Sequence, residues 1–276
     1  MDKIDYHTHT NLSDGVLSPE ELVIKAKNNG CKSIAITDHD YAANYDDLAE
    51  KYNITIIPGI EFNTSIRNMH ILGYGMSDIE SVNNYLLKVK LENEKICLEV
   101  VRLMQESGYE VSIELLFQFL RENNLSTEIL DKRKLVKYLI YKGYSSSVID
   151  TYNTLIGYGQ KFYVPNVKLS PEDVINLINK SNGVAVLAHP NTLGLEFEEL
   201  KMKITKLKEN GLMGIEIING CNNLPFSQSY SLIADSLSLF KTAGSDFHTP
   251  SNENIGIMVD DEIPRTFEKV LELKRK

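Results

Sequence analysis

Short runs that are apolar on both faces alternate with amphipathic stretches in the first and last thirds of the chain. SIAIT at 33–37 and GVAVLA at 183–188 are the clearest of these runs, and they read as parallel strands covered by helices. The same pattern predicts strands at 3–6, 55–60, 70–74, 214–218 and 240–243. Helix starts are written between them. Ser18 offers an N-cap, Pro19 the first helical position and Glu21 the capping-box carboxylate, and Gly30 closes the helix. Ser170, Pro171, Glu172 and Asp173 repeat that start, with Gly183 beyond the end. Repeated strand–helix alternation of this kind predicts an α/β fold, a (β/α) barrel.

Residues 79–165 break the alternation. One long helical pattern covers 79–108, and shorter ones cover 112–123, 131–143 and 145–157. An ordinary connection between strand and helix takes about 2–6 residues. This stretch is therefore expected to be a helical insertion, with the barrel built from 1–78 and 166–276. Placed after the fourth strand, it is expected to lean over the barrel mouth and shape the substrate pocket.

Composition narrows the setting. With 276 residues, 42% of them hydrophobic and 24% charged, the chain has enough apolar material for a barrel carrying an insertion. No apolar run reaches the ~18–20 residues that span a bilayer, and the opening MDKIDYHTH lacks a signal-type apolar segment. A cytoplasmic protein without a membrane partner is expected. Cys31, Cys97 and Cys221 are odd in number, far apart and form no CxxC pair, so they are expected to be buried, reduced thiols. A net charge of −9 argues against loose attraction to nucleic acid over the whole surface. Three divalent ions would add roughly six positive charges in one pocket and invert the field there, so phosphate would be captured at a metal site.

The candidate chemistry lies in the histidines. All six sit in short strand-like or post-strand motifs: His7 and His9 in HTHTNLSDG, His39 in TDHD, His70 in HILGY, His189 in AHP and His248 in GSDFH. Asp14, Asp38, Asp40, Glu61 and Asp246 accompany them. A lone histidine after an apolar run usually satisfies a local hydrogen bond. Imidazole and carboxylate gathered from many segments are instead the ligand set of a cluster of divalent metals. His39, Glu61, His189, Asp246 and His248 fall at or beyond the carboxyl ends of strands, where barrel enzymes build their sites. His70 is the exception, because it precedes its strand; an antiparallel edge or a loop turning back over the mouth would bring it round.

His7 and His9 are two apart and point the same way in a regular strand, so they can share an ion. Asp14, in the turn Ser13-Asp14-Gly15, can reach back to the same place, and Glu61 has two oxygens with which to bridge. Of Asp38 and Asp40, one is expected to orient an imidazole and the other to face substrate. No histidine is left for a serine-type triad, and no GxxxxGK[ST] or GxGxxG element occurs. Hydrolysis by a metal-bridging hydroxide is the expected mechanism, with Asp40 or water protonating the leaving alkoxide.

The ordered series HTHTNLSDG, TDHD, PGIE, HILGY, AHP and GSDFH resembles the polymerase and histidinol phosphatase (PHP) family of metal-dependent phosphoesterases, over almost the whole chain. The long insertion, with YVP at 163–165, is similar to that of the branch acting on nucleoside 3′,5′-bisphosphates and on the 5′ ends of short RNA. The resemblance implies a distorted (β/α)7 TIM-like barrel with three divalent ions, commonly manganese, iron or zinc. By motif, His7, His9, Glu61 and Asp246 would hold the first ion, and Asp14, His39 and His248 the second. Glu61 would bridge to a third, completed by His70 and His189. The implied substrate is a small phosphomonoester, a nucleotide or a short RNA end.

The chain departs from that branch in the insertion. An R-x-x-R pair is absent from the first long helix, where 93–96 stand, and an Arg-Pro-His triplet is replaced by Lys132, Arg133 and Lys134. Those three and Lys95 are candidate phosphate contacts, with Arg133 the foremost. Rival readings are a histidinol-phosphate phosphatase, a C–N hydrolase of the amidohydrolase type, and a non-catalytic metal or nucleotide sensor.

Overall fold

The computed structural model describes residues 1–220, 224–249 and 255–274, and of 224–226 the backbone alone. The expectation for Cys221 lies outside the described residues. In chain order the elements begin with β1 (Asp2–Asp5), α1 (Pro19–Asn28), β2 (Ser33–Ile36), α2 (Asp46–Tyr52), β3 (Thr55–Asn63) and β4 (His70–Tyr74). Four helices follow: α3 (Ile79–Glu106), α4 (Ile113–Glu122), α5 (Lys132–Tyr141) and α6 (Val148–Thr151), the last running into a π turn at Tyr152–Ile156. The chain returns with α7 (Pro171–Lys180), β5 (Val184–Leu187), α8 (Phe197–Glu209), β6 (Gly214–Ile218) and α9 (Leu224–Ser236). It ends with β7 (Phe240–Ala243), β8 (Ile257–Val259) and α10 (Glu262–Lys274). Two compact units result: Met1–Asn84 with Leu169–Lys276, and Tyr85–Lys168.

The first unit is a nearly closed barrel with surrounding helices. Its eight strands run in the order β7-β6-β5-β4-β3-β2-β1-β8. β1, β2 and β3 are mutually parallel, as are β5, β6 and β7, whereas β4 lies antiparallel to both β3 and β5. The seven expected strands are present. β3 runs on to Asn63, so Glu61 lies inside the strand, opposite Leu72 of β4. The eighth strand was not foreseen: only three residues long, it pairs antiparallel with β1 and has too short a run to carry a period.

Closure happens beyond the ends of β1 and β7. The Tyr6 N–H donates to Ala243 O, Asp246 N–H to His7 O and His9 N–H to Phe247 O, at 2.9–3.0 Å. Thr8 and Phe247 form a parallel bridge there. These bonds keep 6–9 extended, so His7 and His9 flank Thr8 and both turn inward. Gly244 makes the approach possible: a Cβ there would land on the backbone nitrogen and Cβ of His7, closer than atoms can stand. Gly244→Ala is therefore expected to cost at least ~1–3 kcal/mol, the usual cost of overpacking. At about 2–4 °C per kcal/mol for a chain of this size, thermal melting should register it. An unchanged melting temperature would contradict this closure.

Opposite the histidines, α10 plugs the barrel. Phe267 is fully buried, with its ring 4.8 Å from Tyr6, 5.0 Å from Tyr74 and 5.5 Å from Phe240. Phe240 opens β7 and Tyr74 closes the antiparallel β4, so both mark the amino ends of the parallel strands. One end of the barrel is thus filled with aromatic rings, leaving the carboxyl end for polar side chains.

The second unit has its own core. Cys97, Val100 and Met104 of α3, Leu116 and Leu120 of α4, Leu135 and Leu139 of α5, and Phe162 are all buried together. Ser112, Asp131 and Ser147 cap the starts of α4, α5 and α6 through their side-chain oxygens.

Candidate metal centre

The six histidines meet at the carboxyl end of the barrel. Glu61 stands between them, 1% exposed and reached from five rings. Its Oε2 lies 3.3 Å from His7 Nε2, 3.2 Å from His9 Nε2 and 3.3 Å from His39 Nδ1. Its Oε1 lies 2.8 Å from both His70 Nδ1 and His189 Nε2. Asp246 Oδ1 adds contacts of 3.4 Å to His7 and 3.2 Å to His9. Asp14 faces His248 at 3.4 Å, His9 at 3.7 Å and His39 at 3.8 Å.

Each ligand candidate arrives by a local device. His70 is brought round because β4 is antiparallel, which puts its first residue beside the last residues of β3 and β5. His39 extends the β2–β3 ladder: it bridges Glu61, with Asp40 N–H donating to Glu61 O and Glu61 N–H to Asp38 O. Asp14 rides on a loop tied down by Val16 N–H to His248 O and Gly15 N–H to Thr10 O. Asp40, His189 and Asp246 take left-handed backbone, with φ of 51°, 22° and 58°. Such a conformation costs a non-glycine residue ~1–3 kcal/mol and is held where surrounding bonds over-determine it.

The two flanking aspartates take other partners than an imidazole. Asp38 accepts from Thr10 N–H, Thr10 Oγ1 and Ser13 Oγ at 2.6–2.7 Å, which fixes the loop that carries Asp14. Asp40 accepts from the backbone and side-chain nitrogens of Asn63, whose amide also stands 3.3 Å from His39 Nδ1. Neither lines the open cavity. That cavity, of about 510 Å3, is lined by His39, Glu61, Asn68, His70, His189, Thr192, Asp246 and His248, and its size suits a small ligand.

Sequence reasoning missed two groups. Asn68 and Thr192 form the rim, joined by Thr192 Oγ1 donating to Asn68 O. Glu216, in β6, is fully buried; its Oε1 accepts from His7 Nδ1 at 3.0 Å and its Oε2 from His189 N–H at 2.8 Å. A lone acid inside the apolar run GIEII was the available signal.

The basic candidates lie on the helical unit. Arg133 is paired with Asp131 at 3.0 Å on an exposed part of α5. Lys132, by contrast, is buried and donates to Val164 O, while Lys134 donates to Ile129 O. Burial lowers the pKa of both. Lys95 is ion-paired with Glu92 on an exposed face. Tertiary packing, then, has spent two of the four cations on backbone carbonyls.

Electrostatics bind the cluster together. Burial is the largest influence on His7 and opposes its charge, but Glu216, Glu61 and Asp246 outweigh it and hold the pKa well above the ordinary imidazole value. For Glu61, burial is likewise largest and is outweighed, by His7, His189 and His70, leaving it well below the usual carboxylate range. His248 is pushed up to about 9, burial being overcome by Asp14 and the Asp246 carbonyl. Protons thus balance the acids where cations would otherwise do so.

The residues fit metal ions. His7 Nε2 and both ring nitrogens of His9 are buried and make no hydrogen bond, a costly state unless a Lewis acid takes the lone pair. Among the described residues three sets converge closely enough to ligate: His7, His9, Glu61 and Asp246; His9, Asp14, His39 and His248; and His39, Glu61 and His70. An ion about 2.1 Å from each ligand places ligand atoms about 3.0–3.4 Å apart, and the first set shows spacings of 3.2–3.4 Å. The 2.8 Å contacts of Glu61 Oε1 with His70 and His189 are hydrogen-bond lengths instead.

A barrel with imidazoles and carboxylates converging at its carboxyl end defines a metal-dependent hydrolase, and comparison with known proteins sharpens this. The PHP domain model matches residues 5–182. The chain belongs to the PHP domain family, and it is a hydrolase of phosphoric ester bonds. It is 26% identical to a 3′,5′-nucleoside bisphosphate phosphatase of Chromobacterium violaceum, over 96% of this chain and 93% of that one. It is 28% identical to the 5′-3′ exoribonuclease Rnm of Escherichia coli, over 89% and 85%. Its fold resembles the sulfate-bound structure of a Chromobacterium violaceum amidohydrolase, with a TM-score of 0.74, 22% identity, and 98% and 96% of the two chains covered. Among the described residues no helix is long and apolar enough to cross a membrane.

Proposed function

We propose that the protein releases phosphate from small phosphorylated nucleotides, nucleoside 3′,5′-bisphosphates or the 5′ ends of short oligonucleotides, at a site holding three divalent ions. The observation that carries this reading is Glu61, a single buried carboxylate whose two oxygens face five imidazoles. Two relatives whose names specify phosphorylated nucleotides or RNA support the choice of substrate. His7, His9, Glu61 and Asp246 would hold the first ion, Asp14, His39 and His248 the second, and Glu61, His70 and His189 the third. Bound there, the ions supply positive charge for the phosphoryl oxygens and lower the pKa of a nucleophilic water.

The protein's own groups do the rest. Asn68 and Thr192 offer polar contacts at the cavity rim. Asp40 is proposed to act through Asn63, holding that amide beside His39; the leaving oxygen then takes its proton from water. Arg133 is the helical unit's proposed phosphate contact. Its pair with Asp131 is exposed, and such pairs are worth only ~0–1 kcal/mol, so a phosphate can replace the aspartate.

With Mn2+ added, phosphate release from adenosine 3′,5′-bisphosphate is expected to exceed that from histidinol phosphate by at least about tenfold in kcat/KM. The reverse order would favour the histidinol-phosphate reading, and turnover of neither would favour a sensor. Arg133→Ala is expected to raise KM for the bisphosphate by about tenfold, the scale of one charge-assisted hydrogen bond, with kcat nearly unchanged. Steady-state kinetics decides this; an unaltered KM removes Arg133 from substrate binding.

A further inference from the structure

We propose that Glu216 is a positioning residue for two histidines at once, setting the tautomer of His7 and holding the left-handed backbone of His189. The inference rests on the metal-site reading above. His7 and His189 come from the ends of different strands, yet both lean on β6. The Glu216 carboxylate receives His7 Nδ1 on one oxygen and the His189 backbone N–H on the other, at 3.0 and 2.8 Å. The two rings lie nearly parallel, 5.6 Å apart.

A buried carboxylate that accepts two donors leaves little choice to either. With Nδ1–H donating to Glu216, Nε2 is the nitrogen whose lone pair is offered to a cation once its own proton is displaced. That nitrogen makes no hydrogen bond and faces Glu61 Oε2 at 3.3 Å and Asp246 Oδ1 at 3.4 Å, the place for a cation. Carboxylates behind metal-bound imidazoles work this way in general, fixing tautomer and ring orientation together. At His189, with φ 22° and ψ 65°, the second oxygen holds the peptide in the strained conformation that aims the ring at Glu61.

An amide cannot serve both donors. In Glu216→Gln its oxygen should stay with the His189 N–H, which has no alternative tautomer. Its NH2 would then face His7 Nδ1, and the ring would answer by moving its hydrogen to Nε2, where it blocks a cation. The metal concentration for half-saturation is expected to rise about 10–100-fold, for Zn2+ and Mn2+ alike.

The test uses the full chain. Metal binding is titrated against a competing chelator in wild type and Glu216→Gln, and the chelated proteins are melted to read the fold alone. With 15N-labelled histidine and Zn2+, wild-type His7 should show a protected Nδ1–H, and the variant an Nε2–H. A lower melting temperature with unchanged metal affinity would make Glu216 merely structural and overturn the proposal. So would an Nε2–H tautomer at His7 in the wild-type zinc protein, a reading available even if the variant fails to fold. Failure of wild type to bind metal would instead strike the proposed function itself.

Discussion

Replacing Glu61 by glutamine is expected to lower phosphatase turnover by more than about 100-fold and to release metal from the site. Outer partners of metal ligands already contribute 10–100-fold, so a group shared between ions should exceed that. The glutamine has the same shape but only one oxygen, and its NH2 offers no lone pair where Oε1 or Oε2 now meets an imidazole. Three imidazole nitrogens stand within 3.3 Å of one oxygen and two stand at 2.8 Å from the other, so no amide orientation satisfies both sides. In the chelated protein the same change removes the anion that holds protons on its neighbours. Breaking one partner out of a buried pair costs about 3–5 kcal/mol, which calorimetry would register. His9→Ala and Asp246→Ala should likewise abolish turnover of any phosphomonoester. Wild-type rates in Glu61→Gln, measured with saturating Mn2+, would end the shared-carboxylate reading.

The second large effect is on pH. Chelation is expected to abolish activity and added Mn2+ to restore it, with apparent metal affinity climbing between pH 7 and 9. His248, raised to about 9, is protonated at neutral pH, and a ligand must be neutral, so uptake of an ion expels a proton. Affinity should therefore rise by up to about tenfold per pH unit for each proton displaced, with the part due to His248 flattening above pH 9. Metal-free stability has the opposite sign. A histidine with a raised folded pKa contributes stability that is complete below its unfolded value of 6.5 and is lost as pH passes 9. His7 and His189 are shifted upward too and act in the same sense. His39 is lowered, chiefly by burial, and Asp5 is raised to about 6 by burial, so their windows fall below pH 6.5. Melting curves from pH 6.5 to 9.5 should fall with pH under chelation and stay nearly level at saturating metal, because the metal-bound protein and the unfolded chain then hold the same protons on these ligands. Parallel trends in the two series would refute the exchange of protons for ions.

Much of the barrel was legible because its strands are buried on both faces and their apolar runs stand out against capped helices. Ser18 and Glu21 do close a reciprocal capping box at the start of α1. The short β8 and the antiparallel direction of β4 were not legible. Direction is set by which neighbours a strand pairs with, and HILGY reads the same either way. Glu216 was passed over since nothing in GIEII says which face of β6 looks toward the histidines. In the helical unit, Lys132 and Lys134 read as candidate phosphate contacts, but packing of α5 turns their ammonium groups onto carbonyls of 164 and 129.

The sequence by itself determined the chemical inventory, six imidazoles and their acids spaced behind apolar runs, and with it the barrel and the hydrolytic class. Local pattern suffices for that, because burial and side-chain period act within a few residues. Only the tertiary structure decided which atoms face which: the antiparallel β4 that delivers His70, the closure at Gly244 that turns His7 and His9 inward, and the placing of Glu216 behind His7 and His189. Those depend on contacts between residues tens to hundreds of positions apart, which no local period encodes.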